Sequence, residues 1–162
     1  MRFLSDGMLG KLARWLRMLG QDVEYYRAAD DKKLLELAES EQRVLLTRDS
    51  ELYQRAVSRG LEPFFVESVD IIENLASLAE RFGFELMVDL SVSRCSKCNG
   101  LLEVVSKDSV NDKILKATSI NYDSFWGCTE CGQVYWQGAH WKRILTTLES
   151  ANSVLNGGKS FT

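Results

Sequence analysis

Four cysteines, and no others, stand in this chain as two matched knuckles: Cys95 with Cys98, and Cys128 with Cys131, with 29 residues between the inner pair. Two thiolates spaced C-x-x-C converge on one ion from a tight turn. A second such turn completes a tetrahedral sulfur set, the donor type and geometry that zinc prefers. The spacing therefore predicts a zinc ribbon. Gly100 and Gly132 sit where each knuckle is expected to swing through a positive backbone angle, and Asn99-Gly100 is a turn dipeptide. Two disulfides are the alternative, but bridges belong mainly to secreted chains, and nothing here marks secretion. A redox C-x-x-C explains one knuckle and leaves its partner without a reason.

At 162 residues and 45% hydrophobic content, one sizeable core is affordable in the first part of the chain and a smaller metal-dependent one beside it. The expected organisation is a unit over residues 1–90, the ribbon with a final helix over 91–150, and a flexible tail over 151–162. Charged Asp6 and Lys11 arrive too early for the apolar region of a signal peptide. No stretch approaches the roughly 18 uninterrupted apolar residues of a membrane span, so a cytoplasmic protein with no membrane partner is expected. The net charge of −3 hides a division: residues 1–90 hold 12 Lys and Arg against 17 Asp and Glu, and residues 91–162 hold 8 against 6. Such a balance neither supports nor excludes a phosphate-backbone partner.

The first ninety residues repeat one pattern, a short β-type run, an acid, and a helix-period segment closed by glycine. Arg2–Ser5 precedes Asp6, after which Leu9, Leu12, Trp15, Leu16 and Leu19 recur at helical spacing. Val23–Tyr26 leads to Asp30 and Asp31, Val44–Thr47 leads to Asp49, and Phe64–Val66 leads to Asp70, each acid opening a helix. Alternating strands and helices imply right-handed crossovers, hence an α/β fold with a parallel sheet flanked by helices. Beyond Ser91 the texture changes to short β-type pieces around the cysteines, a polar segment from Ser106 to Asn121, and an amphipathic helix from His140 to about Glu149.

Ligands of an open parallel sheet bind outside the carboxyl ends of its strands, and here every such end carries an aspartate. Asp6, Asp31 and Asp49, with Asp30 and Asp70 less firmly, are therefore the candidate catalytic residues. Carboxylates held together repel unless a cation neutralises them, and hard oxygen donors select Mg²⁺ or Mn²⁺. Such an ion can acidify a water and stabilise a leaving 3′ oxygen, which is nuclease chemistry. The ordinary alternative for each aspartate is a helix N-cap. A nucleophilic triad lacks its parts, because the only histidine, His140, lies far along the chain.

The runs Phe3-Leu4-Ser5-Asp6-Gly7-Met8-Leu9-Gly10-Lys11-Leu12-Ala13-Arg14-Trp15-Leu16-Arg17 and Leu45-Leu46-Thr47-Arg48-Asp49 resemble the Mut-seven C-terminal RNase domain family. The likeness continues through Arg94–Gly100 and through Cys128–Trp141, covering roughly residues 1–148. It implies a PIN-like nuclease fold fused to a zinc ribbon, with the acidic site mapped onto Asp6, Asp31 and Asp49. It also implies metal-assisted hydrolysis of single-stranded or structured RNA.

Substrate-facing charge is legible independently. Lys11 and Arg14, three apart, share one face of the first helix, and Arg17 extends the row. Arg48, wedged against Asp49, is positioned to hold phosphate or to pair with the acids. In the ribbon, Trp126, Tyr135, Trp136, His140 and Trp141 lie near Lys142 and Arg143, rings that can stack on bases or build a small core. The expected activity is a metal-dependent endoribonuclease carrying structural Zn²⁺ and catalytic Mg²⁺ or Mn²⁺, with Lys11, Arg14, Arg48 and His140 on the substrate. A protein or ribonucleoprotein partner is one way the RNA could be presented. The rivals are a non-catalytic RNA-binding or assembly module and a small-molecule phosphatase. The second is weakened by the absence of a Gly-rich phosphate loop.

Overall fold

Short apolar strands set the sheet. A computed structural model describes residues 1–157 and places β1 (Arg2–Ser5), β2 (Asp22–Tyr25), β3 (Val44–Thr47) and β4 (Phe64–Phe65) in one parallel sheet of order β2-β1-β3-β4. The register pairs Phe3 with Val23 and Val44, Leu4 with Leu45, and Leu46 with Phe64. Because neighbouring strand residues face opposite ways, Phe3 and Leu4 enter different cores. Leu4 and Leu45 pack with α2 (Asp31–Ser40) and α3 (Ser50–Ser58) through Leu34, Leu35, Leu52 and Ala56. Phe3, Val23 and Leu46 meet α1 (Gly10–Met18) and α4 (Ile71–Phe82) on the other face. Helices thus cover both faces, as the β-acid-α pattern requires. Each fully buried Leu or Phe contributes about 2 kcal/mol.

The chain then forms a three-stranded antiparallel sheet, β5 (Leu102–Val105), β6 (Phe125–Cys128) and β7 (Val134–Tyr135), in that order. Its own cluster is small: Val110, Phe125 and Val134, with Trp136 tilted against Phe125 at 6.2 Å. Between β5 and β6 the polar segment forms two short helices, α5 (Lys107–Val110), capped by the Ser106 hydroxyl accepting from the Ser109 amide, and α6 (Lys116–Asn121), which has no side-chain cap among the described residues.

The last helix, α7 (Trp141–Gly157), departs from the expected tail. Residues 151–157 are helical, and Ala151, together with Leu148, is buried against the face built by α1 and α4. The apolar stripe Ile144, Leu148, Ala151 and Leu155 continues past Glu149 at helical spacing, and the polar residues between its members mask it. Asn152 Nδ2 also donates to the Leu86 carbonyl at 3.0 Å. The remaining residues of the expected tail, 158–162, lie outside the described residues.

Two side chains fasten the first knuckle to the edge of the parallel sheet. The Val23 amide donates to Asn99 Oδ1 at 3.0 Å, and the Val23 carbonyl accepts from Arg17 Nε at 2.8 Å. Arg17 Nη1 reaches on to the Ser96 carbonyl, and Arg17 is only 4% exposed. An open β-edge is a template for unwanted pairing, and here the knuckle blocks it. Arg17 is therefore a structural cation and not a member of a substrate-facing row.

Candidate functional site

The carboxyl ends of the strands bring Asp6 and Asp49 to either side of Thr47. The Asp6 amide continues the β1–β3 ladder by donating to the Leu46 carbonyl, which sets the acid at the strand end. Asp6 Oδ2 accepts from the Thr47 hydroxyl at 2.5 Å, and Oδ1 accepts from the Met8 amide at 2.9 Å. The Thr47 oxygen in turn accepts from the Asp49 amide at 3.0 Å. One buried hydroxyl therefore ties the Asp6 carboxylate to the Asp49 backbone, with Thr47 fully buried and Asp6 5% exposed. The loop after Asp6 is held by Tyr25, whose hydroxyl donates to the Gly7 carbonyl. At Gly7 a Cβ would stand 2.6 Å from the Arg27 carbonyl oxygen, so that position has no room for a side chain.

Asp49, Asp30 and Asp70 are N-caps of α3, α2 and α4, as capping chemistry predicts. Each commits only Oδ1: Asp49 to the amides of Glu51 and Leu52, Asp30 to that of Lys33, and Asp70 to those of Ile72 and Glu73. Their Oδ2 atoms have no protein donor among the described residues. Capping and ligation are thus compatible. Asp31 Oδ2 instead pairs with Arg55 at 2.9 Å, an exposed ion pair worth at most about 1 kcal/mol. The Arg48 amide donates to Asp6 Oδ2 at 3.4 Å, but the Arg48 guanidinium does not pair with the acids. Its Nη2 donates to the Ser68 carbonyl, tying the end of β3 to the loop before α4.

The four thiols meet the expectation of the spacing most directly. Their sulfurs all lie within 4.8 Å of one another, with Cys95 to Cys131 at 3.6 Å and Cys98 to Cys128 at 3.4 Å. A ZnS4 tetrahedron with bonds of about 2.3 Å has sulfur–sulfur edges of about 3.8 Å, so the set fits zinc with little movement. The cysteines are free and the close approaches run between knuckles, which is not a disulfide arrangement. Burial raises the Cys95 thiol, but the Tyr135 hydroxyl and the amides of Cys98 and Lys97 outweigh it and bring it down to about 7. Cys98 is pushed up to about 12, by desolvation and by its neighbouring thiols. Four thiolates this close need a cation to ionise together. Among the described residues, these thiols are the one group of three or more Cys, His, Asp or Glu side chains whose ligand atoms converge closely enough for a single ion.

The positive angle in the first knuckle falls on Asn99, with φ of 71°, and not on Gly100. Gly100 answers a different need: a Cβ there would lie 2.8 Å from Cys128 Sγ and 2.7 Å from Glu130 Cγ. Any side chain at Gly100 would displace a ligand.

Sequence reasoning missed two residues that organise these sites. Thr47 was legible as a polar residue ending the otherwise apolar Val44-Leu45-Leu46 strand, and Asn99 as a turn residue able to hold a left-handed conformation. Their contacts lie 41 and 76 residues away in sequence, at Asp6 and Val23, and no local pattern points there.

The basic and aromatic candidates also have definite places. Lys11 and Arg14 are exposed on α1, and His140 is exposed just before α7. All three line a cavity of about 610 Å³ together with Trp136 and Trp141. Trp126 stands apart, paired with Tyr135 across β6 and β7.

A parallel sheet flanked by helices, with Asp6 and Asp49 at its carboxyl edge and a four-cysteine cluster near the C-terminus whose sulfurs converge closely enough for one ion, defines an α/β protein with a candidate thiolate metal site. Residues 1–148 match the family model described as the Mut7-C RNAse domain, and the chain belongs to that family. No curated protein and no solved structure matches it. Membership points to a nuclease or RNA-related role. Among the described residues no helix is long and apolar enough to cross a membrane.

Proposed function

We propose that this protein is a metal-dependent endoribonuclease, a PIN-like nuclease unit over about residues 1–90 joined to a zinc ribbon, acting in the cytoplasm. The observation that carries the reading is the bridge from the Asp6 carboxylate through the Thr47 hydroxyl to the Asp49 backbone amide, which puts both residues at the carboxyl edge of the sheet, in a chain of an RNase family. Mg²⁺ takes one or two carboxylates and completes its shell with waters and substrate phosphate, so this pair suffices as a protein donor set. When bound, the ion supplies Lewis acidity at the phosphorus and a more acidic water. Asp6 would hold it with the lone pairs that Thr47, Met8 and the Arg48 amide leave open, and Asp49 with its uncommitted Oδ2. Asp31 would join on leaving Arg55, and Asp30 and Asp70 flank the rim. Lys11 and Arg14 would hold phosphates beside the scissile one, and Arg48 would fix the rim through Ser68. His140 would contact RNA from the ribbon side, with zinc held by the four thiolates as a structural ion.

The test is Mn²⁺-dependent cleavage of a mixed RNA pool by zinc-loaded protein, with Asp6→Asn and Asp49→Asn alongside. Asparagine also caps helices, so Asp49→Asn removes charge while keeping α3. A fall of at least a hundredfold in both variants is expected. The near closure of the Asp6 carboxylate favours one rival, a non-catalytic RNA-binding module. That rival requires undiminished RNA binding with no metal-dependent cutting in the wild-type protein.

A further inference from the structure

The cavity beside α1 is built from four separated stretches of chain, one of them giving only Leu102 of β5. Lys11, Arg14 and Trp15 come from α1, Arg94 and Ser96 from the first knuckle, and Trp136, Trp141 and Arg143 from β7 onward. No carboxylate lines it, although acids outnumber Lys and Arg in the chain 23 to 20. The charged ends of Lys11, Arg14 and Arg143 have no partner among the described residues. Trp136, His140 and Trp141 also line a second cavity of about 490 Å³, so these rings stand between two open spaces. On the other side, Arg14 and Ser96 line a third cavity, of about 550 Å³, with Arg27 and Lys97. That third cavity begins at Gly7 and Met8, the residues that follow Asp6.

We infer that these cavities form one track for an unpaired RNA strand, leading from the Asp6 loop over Arg14 to the rings of Trp136 and Trp141. The choice of RNA rests on the ribonuclease reading above. Cations spaced along a groove neutralise successive phosphates, and rings with free faces stack on bases whatever their identity. A duplex keeps its bases stacked on one another and out of reach of such rings, so the track selects unpaired strands. An acidic peptide would satisfy the cations and leave Trp141, which lines two of the cavities, without a ring or base to stack on.

The experiment uses the full zinc-loaded chain, without added Mg²⁺ or Mn²⁺, and a fluorescein-labelled 12-nucleotide single-stranded RNA of mixed sequence, read by anisotropy and by quenching of tryptophan emission. The variant Trp141→Ala is expected to weaken binding about tenfold. The double variant Arg14→Glu with Arg143→Glu is expected to weaken it more and to flatten its salt dependence. Trp141→Phe keeps a ring and should bind nearly as wild type, which separates stacking from folding. Lys32→Glu on α2, across the sheet, should change nothing. The same sequence as a duplex should bind at least tenfold more weakly. Wild-type affinity in both Trp141→Ala and the double arginine variant would overturn the track, as would equal binding of the duplex or of a 12-residue polyglutamate peptide. Asp6→Asn should bind RNA within twofold of wild type. Loss of cutting with binding intact therefore bears on the catalytic reading alone.

Discussion

At the scale of single residues, Thr47 and Asn99 matter beyond what their types suggest. Thr47→Val keeps the shape of a fully buried side chain and deletes the hydroxyl between Asp6 and Asp49. Asp6 Oδ2 then keeps only the Arg48 amide at 3.4 Å and the Asp49 amide loses its acceptor, which is expected to cost about 1–3 kcal/mol in urea unfolding, and RNA cleavage should fall with it. Asn99→Ala removes the bonds to Val23 and Asp22 and strains a positive φ, for an expected loss of about 2 kcal/mol by the same measurement. Asp22 carries the clearest pH dependence. Burial raises its carboxyl, but hydrogen bonds from Arg43 at 2.8 Å and Asn99 at 2.7 Å outweigh this and hold it at about 2, below the ordinary 3.8. Because the folded value is the lower one, this stabilisation is complete above about pH 4 and is lost as pH falls through about 2. Acid unfolding of Asp22→Asn should lack that component, worth about 2 kcal/mol in the wild-type protein near neutrality. The aspartates at the strand ends were legible residue by residue, since strand, acid and helix follow one another in sequence. Which of them meet was not legible, because that depends on strand order and on a hydroxyl supplied from the next strand.

At the scale of elements, α7 separates local from tertiary information. Its first half reads as a helix from His140, but the second half carries Ser150, Asn152 and Ser153, residues common in loops and tails. Burial of Ala151 and packing of Leu155 against the α4 face override those propensities. A chain ending at Glu149 is therefore expected to melt at least 5 °C lower than the full chain, measured by circular dichroism; an unchanged melting temperature would mean that the last two turns add no stability. The small helices between the knuckles show the converse limit. Ser106 caps α5 with a recognisable N-cap side chain, yet four and six residues are too few to leave a periodic signal. The strands of the parallel sheet, by contrast, were readable because each β-type run stands before an acid that opens the next helix, even in β2, where Asp22 and Glu24 interrupt the apolar residues.

At the scale of the whole molecule, the two sheets are coupled through the knuckle that blocks the β2 edge. Arg17, Asn99 and the buried Arg43 bring charges and carbonyls from both sides into one network, with Arg43 bonding Asp22, Glu41 and the Phe3 carbonyl. Chelating the zinc that the four thiols would hold should therefore do more than unfold the cysteine unit. It should loosen Asn99, expose the β2 edge, and lower the melting temperature of the parallel-sheet unit as well, a change readable by amide exchange at Val23. The thiolate cluster was legible from its soft sulfur donors, as hard oxygen donors at the strand ends mark the proposed catalytic edge. Only the thiolate site was legible in its geometry, since C-x-x-C places two ligands by local spacing, whereas the carboxylates arrive from separate strands.

The most direct measurement of the carboxylate site is a Mn²⁺ titration of the zinc-loaded protein followed by electron paramagnetic resonance, in which bound Mn²⁺ loses its free-ion signal. One Mn²⁺ site is expected in the wild-type chain, lost or weakened at least tenfold in both Asp6→Asn and Asp49→Asn and kept in Asp123→Asn, remote from the rim. Equal Mn²⁺ binding in all four proteins would show that the acids at the sheet edge do not hold an ion.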